Sequence, residues 1–177
     1  MKWKILSFLT AAVCVGQCVM ATVPIDSMAL GGIVIGMTKE NVESIYGPSK
    51  VIQPYSYSPQ AMRYFGEIGY GDSVTLSMVG RDSSTVPIVE LIVVSANNGF
   101  ATPEGIHVGS TKQEIINAYG RPDHDLSRGE KYGNVIAPSI RKRNIQNLMY
   151  RADDRYVEMN FRLENGVVTE ISIGITL

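Results

Sequence analysis

Polar and apolar side chains alternate along the last part of the chain. The alternation is strict over residues 156–163, which predicts a strand with one buried face. Asn165-Gly166 follows, a dipeptide typical of a tight hairpin, and the alternation resumes over residues 167–175. An earlier apolar stretch, residues 148–151, predicts a third strand. The three stretches together predict a small antiparallel sheet.

The first half of the chain has a similar pattern with less regular ends. Residues 61–70, 74–78 and 86–96 are rich in β-branched, aromatic and alternating apolar residues, and a polar turn separates the last two stretches. We therefore predict a second three-stranded antiparallel sheet. The residues between the first helix and these strands are interpreted as a second short helix or an ordered loop.

Helix signals occur twice in closely related segments. The sequence GIVIGMTKENVESIYG, residues 32–47, returns as GIHVGSTKQEIINAYG, residues 105–120. Thr38 and Thr111 stand where an N-cap residue is preferred, and Glu114 completes a capping box in the second segment. Each segment ends in a glycine followed closely by a proline, a common helix stop. Two short helices are predicted, and each must pack against another element because short helices are marginal alone.

These patterns predict an α+β fold with two tandem repeats. Each repeat is a short helix or helix pair packed on a three-stranded antiparallel sheet, over residues 22–99 and 100–177. We expect the repeats to share one continuous sheet or to pack side by side. The sheet face away from the helices is expected to stay polar and open, as antiparallel sheets permit.

The N-terminal residues 1–21 have the pattern of a secretory signal peptide. Lys2 and Lys4 precede an uncharged apolar run, and Ala21 is a suitable cleavage site. Cys14 and Cys18 are the only cysteines, so a chain cleaved at Ala21 would have no disulfide or thiol chemistry. The alternatives are lipidation at Cys18 and a retained N-terminal anchor. We expect an exported protein in the periplasm, on the outer-membrane surface or secreted.

The composition and net charge of the chain exclude two classes of protein. The chain is 45% hydrophobic and 19% charged, a balance that excludes a disordered protein. Its formal net charge of -1 gives no basic excess for nucleic-acid binding.

At these positions the chain resembles outer-membrane lipoproteins of the SmpA/OmlA type, which belong to the β-barrel assembly machinery. Its tandem arrangement also resembles the secreted β-lactamase inhibitor proteins, which repeat a helix-plus-sheet unit. The resemblance implies the unit fold and a non-catalytic binding role in the cell envelope. It rests on residues Gly36, Thr38, Val42, Gly47 and Pro48 in the first segment, and on Gly109, Thr111, Ile115, Gly120, Pro122, Tyr150, Val157, Phe161 and Gly166 in the second half.

No recognised catalytic or phosphate-binding motif occurs in the sequence. His107 is interpreted as a residue that leads into the second helix. Asp123, His124 and Asp125 have only a faint likeness to a cation loop, because the sixth and twelfth positions of a calcium loop are wrong. We predict no catalytic residues, no metal and no cofactor.

A protein partner is the favoured ligand, because several of the nine tyrosines lie on predicted strands and loops. Arg141, Lys142 and Arg143 could in addition contact anionic lipid peripherally. We predict a protein-binding module that uses the open sheet face. A secreted inhibitor of a hydrolase and an enzyme with a site hidden in the sequence remain alternatives. The predicted partner-binding residues are Tyr64, Thr75, Tyr150, Tyr156, Asn160 and Arg162.

Overall fold

A computed structural model describes residues 22–59, 62–126, 144–153 and 156–176. The described chain is mostly β-structure, with ten strands, two α-helices and one short 3-10 helix, Ile25–Ser27. The α-helices are α1, Lys39–Tyr46, and α2, Lys112–Tyr119. The strands are β1 Ala29–Leu30, β2 Ile33–Val34, β3 Lys50–Ser58, β4 Arg63–Tyr70, β5 Val74–Gly80, β6 Ile88–Val94, β7 His124–Asp125, β8 Ile145–Arg151, β9 Val157–Glu164 and β10 Val167–Ile175.

Eight of the strands form one antiparallel sheet. Their order is β3-β4-β5-β6-β10-β9-β8-β7, and β1 pairs with β2 separately. The strands before and after the second helix segment meet where β10 pairs with β6, from Ile171 opposite Val94 to Gly174 opposite Leu91. The last described strand, β10, therefore lies in the interior of the sheet and joins its two halves.

The hydrophobic core lies on one face of this sheet. The fully buried Val42 of α1 and Ile115 of α2 belong to the same apolar cluster as the inward side chains of the central strands. Strand β9 shows the pattern clearly, because Val157, Met159 and Phe161 are buried while the residues between them are partly exposed. Both helices thus cover the same side, and each packs there through its single apolar stripe.

The helices form as their end signals predict. In α1 the Thr38 side chain accepts a hydrogen bond from the backbone N–H of Asn41. In α2 the Thr111 side chain accepts from the backbone N–H of Glu114, and the Glu114 carboxylate accepts from the Thr111 N–H in return. Each helix is only eight residues long, so the burial of its apolar side chains against the sheet stabilises it, and not its own length.

The predicted α+β fold of two helix-on-three-strand repeats is wrong. The chain forms a mostly β structure in which a single eight-stranded antiparallel sheet replaces two three-stranded sheets. Residues 50–58, interpreted above as a loop or second helix, form the edge strand β3, and the short strand β7 was not predicted either. Four strands therefore follow each helix, and all of them join one sheet.

The two helix segments attach to the sheet through matching backbone hydrogen bonds. The Gly36 N–H donates to the carbonyl of Val89 in β6, at 2.8 Å, and the Gly109 N–H donates to that of Val168 in β10, at 2.9 Å. Each of these glycines has a positive φ, which a residue with a side chain adopts only with strain. The glycines that precede the helices thus let the chain turn tightly against the sheet.

Candidate protein-binding face

The sheet face opposite α1 and α2, here called the open face, is the candidate site. Its centre is a row of side chains that runs across all eight strands, one residue from each, in pairing register. None of the described helices packs its buried residues on this side. The row consists, in order, of Lys50, Gly69, Thr75, Val93, Ser172, Asn160, Met149 and His124.

Three of the predicted partner-binding residues lie on this face. Thr75 and Asn160 belong to the central row, on β5 and β9. Arg162 is exposed and stands opposite Glu170 and Asn147 on the neighbouring strands. The face therefore brings these three residues onto one surface, in the two halves of the sheet.

Tyr156 lies at the margin of the same surface. It directly precedes β9 and is 70% exposed. Its carbonyl accepts a hydrogen bond from the N–H of Thr176 at 2.8 Å, which fixes the backbone at this end of the sheet.

Tyr150, one of the predicted partner-binding residues, lies in the core and not on the open face. Its side chain is fully buried on the helix side, where its ring lies 5.4 Å from that of Tyr119 and 5.9 Å from that of Phe161. Its hydroxyl donates to the carbonyl of Gly120 at 3.0 Å. Burial, with the nearby carboxylates of Asp125 and Asp123 as smaller causes, raises the pKa of this hydroxyl. Tyr150 is a core residue.

Tyr64 also points to the helix side of the sheet. Strand alternation places it with Ile68, which is buried in the core. Its ring lies 5.7 Å from that of Tyr55 and 5.6 Å from that of Tyr57. The three rings form a cluster beside the edge strand, so Tyr64 is not part of the open face.

Glycines on the open face give room to neighbouring aliphatic side chains. A Cβ at Gly174 would lie 2.9 Å from Cδ1 of Leu91, and a Cβ at Gly69 would lie 2.8 Å from Cδ1 of Ile52. Leu91 therefore lies over β10, and Ile52 lies over β4. Sequence reasoning missed Leu91 and its neighbour Val93, because β6 is apolar at every position but one and gives no alternation to read.

Two ion pairs lie on the open face on either side of its centre. Arg63 and Glu90 form a bidentate pair, with contacts of 2.6 and 2.7 Å. Arg151 and Glu158 are joined at 2.7 Å. Burial raises the pKa of the Glu90 carboxyl, and the Arg63 guanidinium only partly offsets this. These pairs neutralise four charged side chains next to the central row.

Asn160 has an unusual environment for the middle of a sheet face. Its Oδ1 is buried and accepts no hydrogen bond from any described residue. An unsatisfied buried acceptor costs about 1–3 kcal/mol, so the structure carries this cost at the centre of the row.

Within the described ranges, no three His, Cys, Asp or Glu side chains are grouped to hold a metal ion. Asp125 instead pairs with Lys112 at 2.7 Å, and Asp123 accepts from the N–H of Arg151. Residues 141–143, the predicted lipid contact, lie outside the described residues. A helix with the length and apolarity for a membrane span is absent from the described part of the chain.

Comparison with known proteins gives little further guidance. No protein-family model matches the chain, and no curated protein matches it. One solved structure is similar in part: a DUF4309 family protein, YjgB, from Bacillus subtilis. It is 11% identical, with a TM-score of 0.43, and the match covers 82% of this chain and 83% of that one.

Proposed function

We propose that the protein is an exported, non-catalytic module that binds another protein across the open face of its sheet. The single observation that supports this most is the one-sided arrangement of the molecule. Both described helices contribute to one apolar cluster on one side, and the other side presents a continuous row from eight paired strands. The signal-peptide pattern of residues 1–21 supports export.

The chemistry of the open face suits protein binding better than small-molecule binding. The middle of its central row has short or aliphatic side chains, Thr75, Val93 and Ser172, and four of its charged residues form two ion pairs between strands. A surface of this kind resembles an interface core, which is poor in unpaired charge and surrounded by a polar rim. Arg162 and Tyr156 stand at that rim, and these residue types are enriched among energetically important contacts.

A pull-down from cell-envelope extract tests this proposal. We expect a double variant, Asn160→Ala with Arg162→Ala, to lose most partner recovery while it keeps the wild-type fold. The control is Asn97→Ala with Arg121→Ala, which removes the same two residue types at exposed positions, one after β6 and one after α2, outside the strands that form the open face. Circular dichroism and thermal unfolding check that both variants are folded.

Equal recovery of the partner by both double variants would show that the open face is not the binding surface. If the captured protein is a hydrolase that loses activity at a one-to-one ratio, the module is an inhibitor. If it is a component of an envelope complex, an assembly role is supported.

A further inference from the structure

The large sheet has one long outer edge. Strands β3 and β7 are its outermost members, and β7 is only two residues long, His124–Asp125. Strand β3, Lys50–Ser58, is nine residues long and pairs with β4 on one side. No described strand pairs with its other side. The outer edge of β3 therefore presents backbone N–H and carbonyl groups with which a further strand can pair.

The side chains of β3 are unusual for such an edge. Exposed edge strands are commonly protected by charged side chains, yet β3 has only one, Lys50, at its start. Val51, Ile52 and Tyr57 are large side chains that are 52%, 48% and 53% exposed. Because the burial of apolar surface is favourable, β3 combines an unpaired backbone edge with side chains that gain free energy when they are covered.

Pro54, in the middle of β3, limits how a further strand can pair. Proline has no N–H, and natural edge strands use it for protection. Here it lies where β3 already departs from regular pairing with β4, between Gln53 and Ser56. The residues on either side of Pro54 keep their N–H groups. A further strand can therefore pair with both ends of β3 if its own residue opposite Pro54 needs no donor.

A second copy of β3 meets this condition. Two copies that pair antiparallel about a two-fold axis at Pro54 place each residue opposite the one equally far beyond the proline. Val51 then stands opposite Tyr57 of the second copy, and Lys50 stands opposite Ser58. Proline opposite proline loses no hydrogen bond when the pair is of the non-hydrogen-bonded type, in which neither residue donates to the other.

The faces of β3 agree with this pairing. Residues directly opposite each other in a sheet point to the same face. Val51 is paired with Ile68 of β4, and Tyr57 is paired with Tyr64. Both of these β4 residues point to the helix side, so Val51 and Tyr57 share that face. An aliphatic side chain opposite an aromatic one is a favourable cross-strand pair, and the two Lys50 side chains lie at opposite ends of the joined strands, where no like charges meet.

We propose that β3 pairs with β3 of a second copy of this chain, antiparallel about Pro54, to form a dimer with one continuous sheet. Because the two-fold axis is perpendicular to that sheet, the open faces of both copies lie on the same side. Only one strand of each copy takes part, so the contact is smaller than the roughly 800 Å² per partner of a standard interface. The dimer is therefore reversible and depends on protein concentration.

Sedimentation equilibrium of the full chain over a range of concentrations tests the proposal, with charges introduced at the two facing positions. In Val51→Lys with Tyr57→Lys, like charges stand opposite each other twice, and dimerisation should be about tenfold weaker than in the wild type. In Val51→Lys with Tyr57→Glu, opposite charges stand there instead. Dimerisation should then be stronger than in the first variant, and this gain should shrink at high salt.

The two variants are matched, because both lose the same two side chains. Positions 51 and 57 are six residues apart along an extended strand, which is too far for the new charges to pair within one chain. A second control, Val86→Lys with Ile175→Lys, adds two lysines at exposed apolar positions outside β3. This control should dimerise as the wild type does.

A chain that stays monomeric up to about 1 mM would overturn the proposal, as would equal dimerisation of the two charge variants at positions 51 and 57. A monomeric chain whose β3 amides are protected from hydrogen exchange by a captured envelope protein would also overturn it, and would show that a foreign strand occupies the edge. These outcomes are separate from partner recovery through the open face, because Val51 and Tyr57 point to the helix side.

Discussion

The two helix segments share a backbone plan and differ in what surrounds it. In the first, the Tyr46 hydroxyl donates to the backbone carbonyl of Gly31. In the second, the Tyr119 hydroxyl donates to the carboxylate of Glu104. The exposed side of α1 carries Ile45, where α2 has the smaller Ala118.

This difference distinguishes the residues that build each helix segment from the positions at which the two segments can vary. The threonine cap and the glycine before it recur in both segments and make matching backbone contacts with β6 or β10. The final tyrosine also recurs, but its hydroxyl donates to a different acceptor in each segment. A second pair of contacts also recurs, because Tyr70 and Tyr150 each donate at 3.0 Å to the carbonyl of the glycine that ends the helix, Gly47 or Gly120. Glu104 and His107 are replaced by Gly31 and Val34 in the first segment, whereas Glu114 corresponds to Asn41, whose Oδ1 accepts from the Thr38 hydroxyl at 2.8 Å.

The largest expected effect concerns the second pair of contacts. Tyr150→Ala should lower the free energy of unfolding by about 3–5 kcal/mol, because it opens a cavity in the core. Tyr70→Ala should cost less, because Tyr70 is only partly buried. Urea unfolding of both variants measures this. Equal losses would mean that the two halves are packed equally tightly.

The glycine at position 31 gives the next largest effect. Gly31 has a φ of 59°, and a Cβ there would lie 2.6 Å from the Tyr46 hydroxyl and from the ring of Phe100. Gly31→Ala should therefore destabilise the protein by more than the roughly 1–2 kcal/mol of left-handed strain alone. Gly32→Ala is the control, because its φ is 82° and its Cβ would contact nothing within 4 Å. Thermal unfolding of the pair should rank Gly31→Ala as the less stable variant.

The helix caps can be exchanged to test the comparison further. Glu114→Ala should lower stability by about 0.5–1 kcal/mol, because the Thr111 N–H loses its partner. Asn41→Glu should raise stability by a few tenths of a kcal/mol, because it introduces the missing half of the capping box in α1. Chemical denaturation compares the two variants with the wild type. A loss of stability in Asn41→Glu would show that the α1 cap differs from the α2 cap in more than sequence.

The smallest expected effect is a change in how the stability of the fold depends on pH. The Thr111 N–H and hydroxyl lower the pKa of Glu114, and the Ser49 N–H and hydroxyl lower that of Glu43. A lowered folded-state pKa contributes stability that is present above the ordinary value of 4.5 and is lost as the pH falls through the folded value. Glu90 acts in the opposite direction, because burial raises its pKa.

We therefore expect the wild type to lose stability below about pH 4.5, and Glu114→Gln to lose less over the same range. Denaturation midpoints at about pH 6 and pH 3.5 measure the difference. Parallel losses in the two proteins would show that the Glu114 cap does not contribute to acid sensitivity.

Local signals were enough to predict both helices and six of the eight strands of the large sheet. Thr111, Glu114 and the glycines around α2 specify their conformations within a few residues, and the hairpin at Asn165-Gly166 does the same. Strand β3 was missed because Pro54 lies in its middle and its side chains are largely exposed. An edge strand of this kind lacks the alternation that marks a half-buried strand.

The candidate site was predicted less well than the elements that form it. Leu148 and Tyr150 lie two residues apart, so they share a face, and the buried Leu148 indicates that this face is the core. Tyr64 and Ile68 stand in the same relation on β4. The alternation of faces along each strand therefore contained the information that places Tyr64 and Tyr150 on the helix side. The continuation of the sheet from β6 to β10, in contrast, rests on contacts between residues distant in sequence, which no local pattern specifies.

That continuation has a consequence for how the molecule is made. Strand β10 is the last described strand to leave the ribosome, yet it lies between β6 and β9. Until β10 emerges, β6 and β9 each have an unpaired edge. A nascent or truncated chain without β10 therefore lacks the strand pairing that joins the two halves of the sheet. The two halves of the sheet can therefore join only after the β9–β10 hairpin has formed, so this hairpin controls when the central pairing with β6 becomes available.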